Sequence, residues 1–178
     1  EAAHGADAPL LVFSDREVVD AEERPLTPSW SANEGAPLSI GTSFAKSLFM
    51  NVVAGCTTLL NRPLTRLAAD IPDGAKSHDH WLALVATQFG HVGVLEPCEI
   101  LYRAHGRNFA GVRDVPSSAV FARARRLFGR LAMHRARYAG LYRQAEAFLA
   151  LHGARMTAAE RRRLEAGVPL PRGVAPTR

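Results

Sequence analysis

Ser77-His78-Asp79-His80 runs without a break into Trp81-Leu82-Ala83-Leu84-Val85, and no other segment constrains the chain as much. Apolar residues at 81, 82, 84, 85 and 89 recur at helical spacing, which predicts a buried helix over 80–89 that Gly90 ends. Asp79 then stands at the positive end of that helix, where an ionised carboxylate is favoured. A carboxylate and two imidazoles within three positions can bind a metal, move a proton or orient a hydroxyl. A charged carboxylate on a rigid element is a usable general base. Asp in a first helical turn is also a routine stabilising device, and these residues by themselves weigh the two readings evenly.

The segments around it predict a mixed α/β fold. Leu10-Leu11-Val12-Phe13 is a continuous apolar run after Pro9, expected as a buried strand. Glu17-Val18-Val19-Asp20 is a second short strand, and 21–25 turns the chain. Residues 27–42, rich in Pro, Gly, Ser and Asn, are expected as a loop, and 44–53 as a helix. The β-prone run 55–60 follows Gly55, which permits close backbone approach. Asn61-Arg62-Pro63 starts a short helix, 70–74 is a turn, and 92–95 and 99–102 are two further strands. Beyond Pro116 apolar residues recur at three- and four-residue steps as far as Leu149, with Ser117 or Ser118 as cap and Gly129 and Gly140 as weak points. Thr157-Ala158-Ala159-Glu160 has the pattern of a capping box.

The 178 residues, 47% hydrophobic, suffice for a real core. The opening Glu1-Ala2-Ala3-His4-Gly5-Ala6-Asp7-Ala8-Pro9 reads as a connector entered midway, so a preceding segment of the same protein is expected. No apolar run approaches the length of a membrane span. Cys56 and Cys98 lie in apolar surroundings and are expected as buried free thiols, which points to a reducing compartment. The net charge of +5 is uneven. Arg123, Arg125, Arg126, Arg130, Arg135 and Arg137 crowd one segment, and Arg161, Arg162 and Arg163 follow. The expected organisation is a body over 1–116 and a basic, amphipathic helical appendage with a mobile tail over 117–178.

Four segments, in order, carry a resemblance. They are Leu11-Val12-Phe13-Ser14-Asp15, Asn51-Val52-Val53-Ala54-Gly55-Cys56-Thr57, His78-Asp79-His80-Trp81-Leu82-Ala83-Leu84, and Tyr102-Arg103-Ala104-His105-Gly106-Arg107-Asn108. Over about residues 9 to 113 the chain resembles the C-terminal half of a glycosyltransferase family 2 enzyme, of the rhamnosyltransferase-like group that acts in cell-surface polysaccharide assembly. The resemblance implies a partial GT-A-like mixed sheet with flanking helices. It implies inverting, metal-dependent transfer from a nucleotide-sugar donor to a saccharide or lipid-linked acceptor. The divalent metal, Mg or Mn, would be bound mainly by an Asp-x-Asp motif in an N-terminal half that this chain lacks. Asp79 matches the family's catalytic acid, with His78 in the preceding position. Gly55 matches the glycine that lets backbone approach a sugar, and His105 a histidine that reaches the metal–diphosphate centre. Two positions depart from the family pattern. A glycine is usual near Glu23, which touches only hairpin geometry, and His80 stands where Trp is common, which alters the acceptor pocket.

The residue chemistry is compatible with those roles. An unperturbed Asp is charged at neutral pH and can take the proton of an attacking hydroxyl. Trp81 can stack on a sugar ring, although a core position on the apolar helix face is the commoner fate of such a residue. Arg103 can pair with a phosphate or with Asp79, and Asn108 is expected on the substrate side. His105, in a polar loop, can equally be a solvated residue. A small metal hydrolase built on His78, Asp79, His80 and His105 is a further reading. Against it, side chains at neighbouring helical positions diverge, so His78 and His80 cannot readily share one ion. The other alternative is a non-enzymatic basic module that binds nucleic acid or an anionic membrane surface through its arginines. For the enzyme, the expected location is cytoplasmic, with peripheral contact at the inner face of the membrane through the 117–163 helices and no nucleic-acid partner.

Overall fold

The computed structural model describes residues 4–5, 7–96, 98, 100–104 and 138–167. The chain divides into two compact units, one from 1–71 and 77–113, the other from 72–76 and 114–178. The fold class is mixed α/β, with two three-stranded mixed sheets.

Strand β1 (Leu10–Ser14) is the middle of the first sheet, ordered β4-β1-β5. β5 (His91–Leu95) lies parallel to it, from Leu10 opposite His91 to Ser14 opposite Leu95, and β4 (Thr58–Leu60) lies antiparallel, with Val12 opposite Leu59. Leu11 and Phe13 are fully buried, as the continuous apolar run requires. Parallel neighbours need a crossover connection, and here its last helix is α4 (His78–Phe89). α4 packs against β1 and β5 and against two short helices, α2 (Phe44–Phe49) and α3 (Arg62–Leu67). Its buried residues are His80, Trp81, Ala83, Leu84, Val85 and Ala86. Full burial of a Leu or Val such as Leu84 or Val85 stabilises by about 1.5–3 kcal/mol, so this face anchors the position of the polar head of the helix. Gly90 ends α4 at a close approach. A Cβ there would stand 2.1 Å from the Pro9 carbonyl oxygen, which instead accepts the His91 N–H at 2.9 Å and opens the β1–β5 ladder.

The second sheet, ordered β3-β2-β6, holds β2 (Glu17–Val19), β3 (Pro25–Thr27) and β6 (Leu101–Arg103). β2 and β6 are parallel, with Val18 opposite Tyr102. Only Asp15 and Arg16 separate β1 from β2, so these two residues mark the break between the sheets. In the 20–25 turn, Asp20 Oδ1 accepts the Glu22 and Arg24 N–H groups at 3.0 and 2.8 Å, and Oδ2 accepts Arg24 Nε at 2.7 Å. Glu23 in this turn is held at φ 64°.

Several sequence expectations are corrected. The expected loop at 27–42 contains helix α1 (Trp30–Glu34) and a single 3-10 turn, Leu38–Ile40. Ser29 caps α1 by accepting the Ala32 N–H at 2.9 Å, and Gly35 ends it at φ 63°, so the Ser and Gly that resembled loop composition are the helix's start and stop signals. The helix expected to reach Val53 ends at Phe49. From Met50 the backbone is extended, and the Asn51 side chain takes the Val53 N–H at 3.0 Å. Residues Gly55–Thr57 form a 3-10 turn, so the strand expected at 55–60 covers only Thr58–Leu60. Helix α4 begins two residues early, with Ser77 at its N-cap. Both expected buried thiols are corrected: Cys98 is partly exposed, and Cys56, in the 55–57 turn outside the sheet, is exposed; both are free thiols.

In the second unit, α5 covers 138–152 and passes through Gly140 without a break. It continues into a 3-10 turn, Gly153–Arg155, and then α6 (Ala158–Gly167). Leu141, Ala145, Phe148, Met156 and Leu164 are buried. Gln144, also buried, accepts the Lys76 N–H at 2.9 Å. The expected capping box is present: Glu160 Oε2 accepts the Thr157 N–H at 2.7 Å, and Thr157 Oγ1 accepts the Glu160 N–H at 3.2 Å. Ser117, Ser118 and Gly129 lie outside the described residues. Among the described residues no helix is long and apolar enough to cross a membrane.

Candidate active site

The head of α4 meets the 51–55 segment around one carboxylate. Asp79 Oδ1 accepts the His80 N–H at 2.7 Å, Asn51 Nδ2 at 3.2 Å, and the Ser77 hydroxyl. Among the described residues Asp79 Oδ2 accepts only the Gly55 N–H, at 3.2 Å. Three donors hold Oδ1 still, and Oδ2, with one donor among the described residues, is the less engaged oxygen. Asp79 is half-buried, and Gly55 and His78 beside it are exposed. The arrangement gives an oriented carboxylate whose Oδ2 is the freer oxygen for an incoming hydroxyl.

Gly55 is fitted to its neighbour. A Cβ on it would stand 2.5 Å from His78 Nε2, closer than any packed pair allows. The ring of His78 therefore lies directly over the Gly55 backbone, and the glycine lets the N–H reach Asp79 from beneath it.

The strand break places Arg16 in the same region. Its guanidinium is 4.0 Å from the ring centroid of Trp30 and 5.4 Å from that of Tyr102, and the residue is only 6% exposed. Burial pulls its pKa below the ordinary arginine value, against the opposing fields of Cys56, Asp15, Tyr102 and Asp79; an arginine nonetheless stays protonated at neutral pH. The Nε is sealed from solvent without a hydrogen-bond partner. Cation–π contacts of about 0.5–2 kcal/mol each do not offset the several kcal/mol of taking a charge out of water. The adjacent Asp15 does not bond to the guanidinium. Its carboxylate is taken up by the Arg16 N–H at 2.8 Å, the Ser29 hydroxyl at 2.6 Å and the Ser31 hydroxyl at 2.8 Å. Burial raises the Asp15 carboxyl, and these donors outweigh it, so its pKa lies below the ordinary carboxylate value.

The sequence-predicted residues therefore separate into three groups. Asp79, His78 and Gly55 are brought together. Trp81 is 0% exposed inside the core, so its ring offers no face to a sugar; helix periodicity turns position 81 inward. His80, 1% exposed, points away from Asp79, with Nε2 2.6 Å from the Ser47 carbonyl oxygen. Arg103 pairs with Glu23 rather than with Asp79, because the end of β6 lies against the 20–25 turn. His105 and Asn108 lie outside the described residues. Sequence reasoning missed Asn51, Ser77 and Arg16 as site residues. Asn51 stood inside a quoted segment without a role, and the signal for Arg16 was a cation placed directly after a buried strand.

Among the described residues no group of three or more His, Cys, Asp or Glu could hold a metal ion. Asp79 and its neighbours do not by themselves fit the divalent metal that the resemblance implies, and no step is derived through one. No family model matches the chain, and neither a curated protein nor a solved structure does.

Proposed function

We propose that this chain is the acceptor-side part of an inverting glycosyltransferase of GT-A type, resembling family 2 rhamnosyltransferases. The observation that carries the reading is the Asp79 carboxylate, immobilised through Oδ1 by Ser77, Asn51 and the His80 N–H, with Oδ2 bonded, among the described residues, to Gly55 alone. Its supports come from the same segments that carry the resemblance: 51–57 bonds to 78–80, and Arg16, beside Asp15, stacks on Tyr102.

In the proposed reaction, an acceptor hydroxyl donates its hydrogen bond to Asp79 Oδ2. As the hydroxyl oxygen attacks the anomeric carbon from the face opposite the leaving group, its proton passes to Asp79. The bond from the anomeric carbon to the phosphate oxygen breaks, and its electron pair leaves with the nucleoside diphosphate. A positioned base of this kind contributes roughly 10²–10⁴-fold, and fixing its orientation beforehand avoids reorganisation at the moment of reaction. His78 and Gly55 border the acceptor approach. The divalent metal belongs, on this reading, mainly to an Asp-x-Asp motif in a preceding half. The arginine-rich 117–163 stretch lies against the inner, cytoplasmic membrane face that carries a lipid-linked acceptor; the exposed Arg162 and Arg163 of α6 support that part of the reading.

The test uses the protein as its gene encodes it, incubated with a panel of nucleoside-diphosphate sugars, a divalent cation and saccharide acceptors. Acceptor-dependent release of nucleoside diphosphate is expected, together with a strand followed by Asp-x-Asp in the residues encoded before Glu1. Absence of both contradicts the reading.

A further inference from the structure

Arg16 has a charge that the described fold leaves without a counter-ion. The ion pairs among the described residues join Arg24 to Asp20 and Glu22, and Arg103 to Glu23; none includes Arg16. Its nearest carboxylate in sequence, Asp15, is saturated by the Arg16 N–H, Ser29 and Ser31. Nε is sealed from solvent without a partner, and no hydrogen bond joins the guanidinium to another described residue. Trp30 and Tyr102 hold the plane of the group. Cys56 and Asp79 lie within electrostatic reach of it, and Gly55 and Cys56 are exposed, which leaves this side of the unit accessible to a ligand.

We propose that Arg16 is an anion-binding residue and that its ligand is a phosphate ester, held on the outer edge of the guanidinium. A planar fork fixed by two aromatic rings is suited to two parallel N–H···O bonds to a phosphate. A buried cation without a counter-ion gains more from an arriving anion than a solvated one does, because its hydration has already been lost. Naming the anion as a diphosphate rests on the proposed transferase reading; the anion site itself rests only on the geometry of Arg16. Two sources share this chemistry, the diphosphate of a nucleotide-sugar donor and that of a lipid-linked acceptor.

Titration of the 178-residue chain with inorganic pyrophosphate, followed by nitrogen-edited NMR of arginine side chains, tests the inference. The buried Arg16 Nε–H gives a slowly exchanging signal, assigned by its loss in Arg16→Lys. Pyrophosphate is expected to shift that signal saturably, and Arg16→Gln is expected to weaken binding at least tenfold. UDP and geranyl diphosphate, titrated separately, distinguish the sources: tighter binding of UDP assigns the donor, and tighter binding of geranyl diphosphate the acceptor. A signal that moves no more with pyrophosphate than with sodium chloride of equal ionic strength overturns the inference, whether or not Arg16→Gln folds. The transferase reading is tested apart from it. Asp79→Asn should bind pyrophosphate at least as well as the unsubstituted chain, so loss of transfer without pyrophosphate binding sinks only the anion site.

Discussion

At the scale of single residues, two positions show how backbone and side chain are matched. Gly55 has no Cβ because His78 Nε2 occupies the place where one would go. In Gly55→Ala the ring has to move and the N–H bond to Asp79 Oδ2 is disturbed. Because the clash is with the far end of a side chain, stability should fall by only about 1–2 kcal/mol, whereas transfer should fall at least tenfold. Removing the ring as well, in Gly55→Ala with His78→Ala, should restore most of the stability. Thermal unfolding and turnover of the single and double variants together check this coupling. Glu23 is the reverse case, a side chain where the conformation favours none. Its φ of 64° costs about 1 kcal/mol relative to glycine, and its exposed pair with Arg103 returns about 0–1 kcal/mol. Glu23→Gly is therefore expected to leave stability unchanged or raise it by up to about 1 kcal/mol, read from the denaturant midpoint. A loss above 1 kcal/mol would show that the ion pair outweighs the strain.

Between elements, polar side chains decide where strands and helices start and stop. Asp15 ends β1 and gathers the start of α1 through Ser29 and Ser31. Its folded pKa is depressed, so the stability it contributes is fully present above the unfolded carboxyl value and is lost as pH falls through the folded one. Asp15→Asn should cost about 1–3 kcal/mol at neutral pH. The gap between the two proteins should close as pH drops below about 4, as measured by urea denaturation across the acid range. A gap that stays constant with pH would remove Asp15 from the account. Much at this scale was legible beforehand. A continuous apolar run marked β1, residues 92–95 were named as a strand where β5 lies, helical spacing marked α4, and Thr157 with Glu160 marked the start of α6. Helix α1 was not, because Ser29 and Gly35 act as caps only once Asp15, far away in the chain, holds Ser29 in place. Nor was the end of α2, which depends on Asn51 turning back to its own backbone.

Across the whole molecule, the site depends on separated segments converging. The sequence marked Asp79, His78 and Gly55, because charge next to an apolar run and a glycine before a β-prone run are local signals. It favoured a core position for Trp81, which the structure has, but it could not mark His80 as bonded to the Ser47 carbonyl, since the direction in which α4 faces is set by its packing on β1 and β5. Arg16 was hidden for the same reason: its meaning comes from Trp30 and Tyr102, neither of them its neighbour in sequence. The account as a whole stands on Asp79 as the base. The most direct measurement is the turnover of Asp79→Asn in the protein as its gene encodes it, with donor binding followed in parallel. The account predicts a drop of about 10²–10⁴-fold in turnover with donor affinity unchanged. Transfer that persists at near the original rate would contradict it.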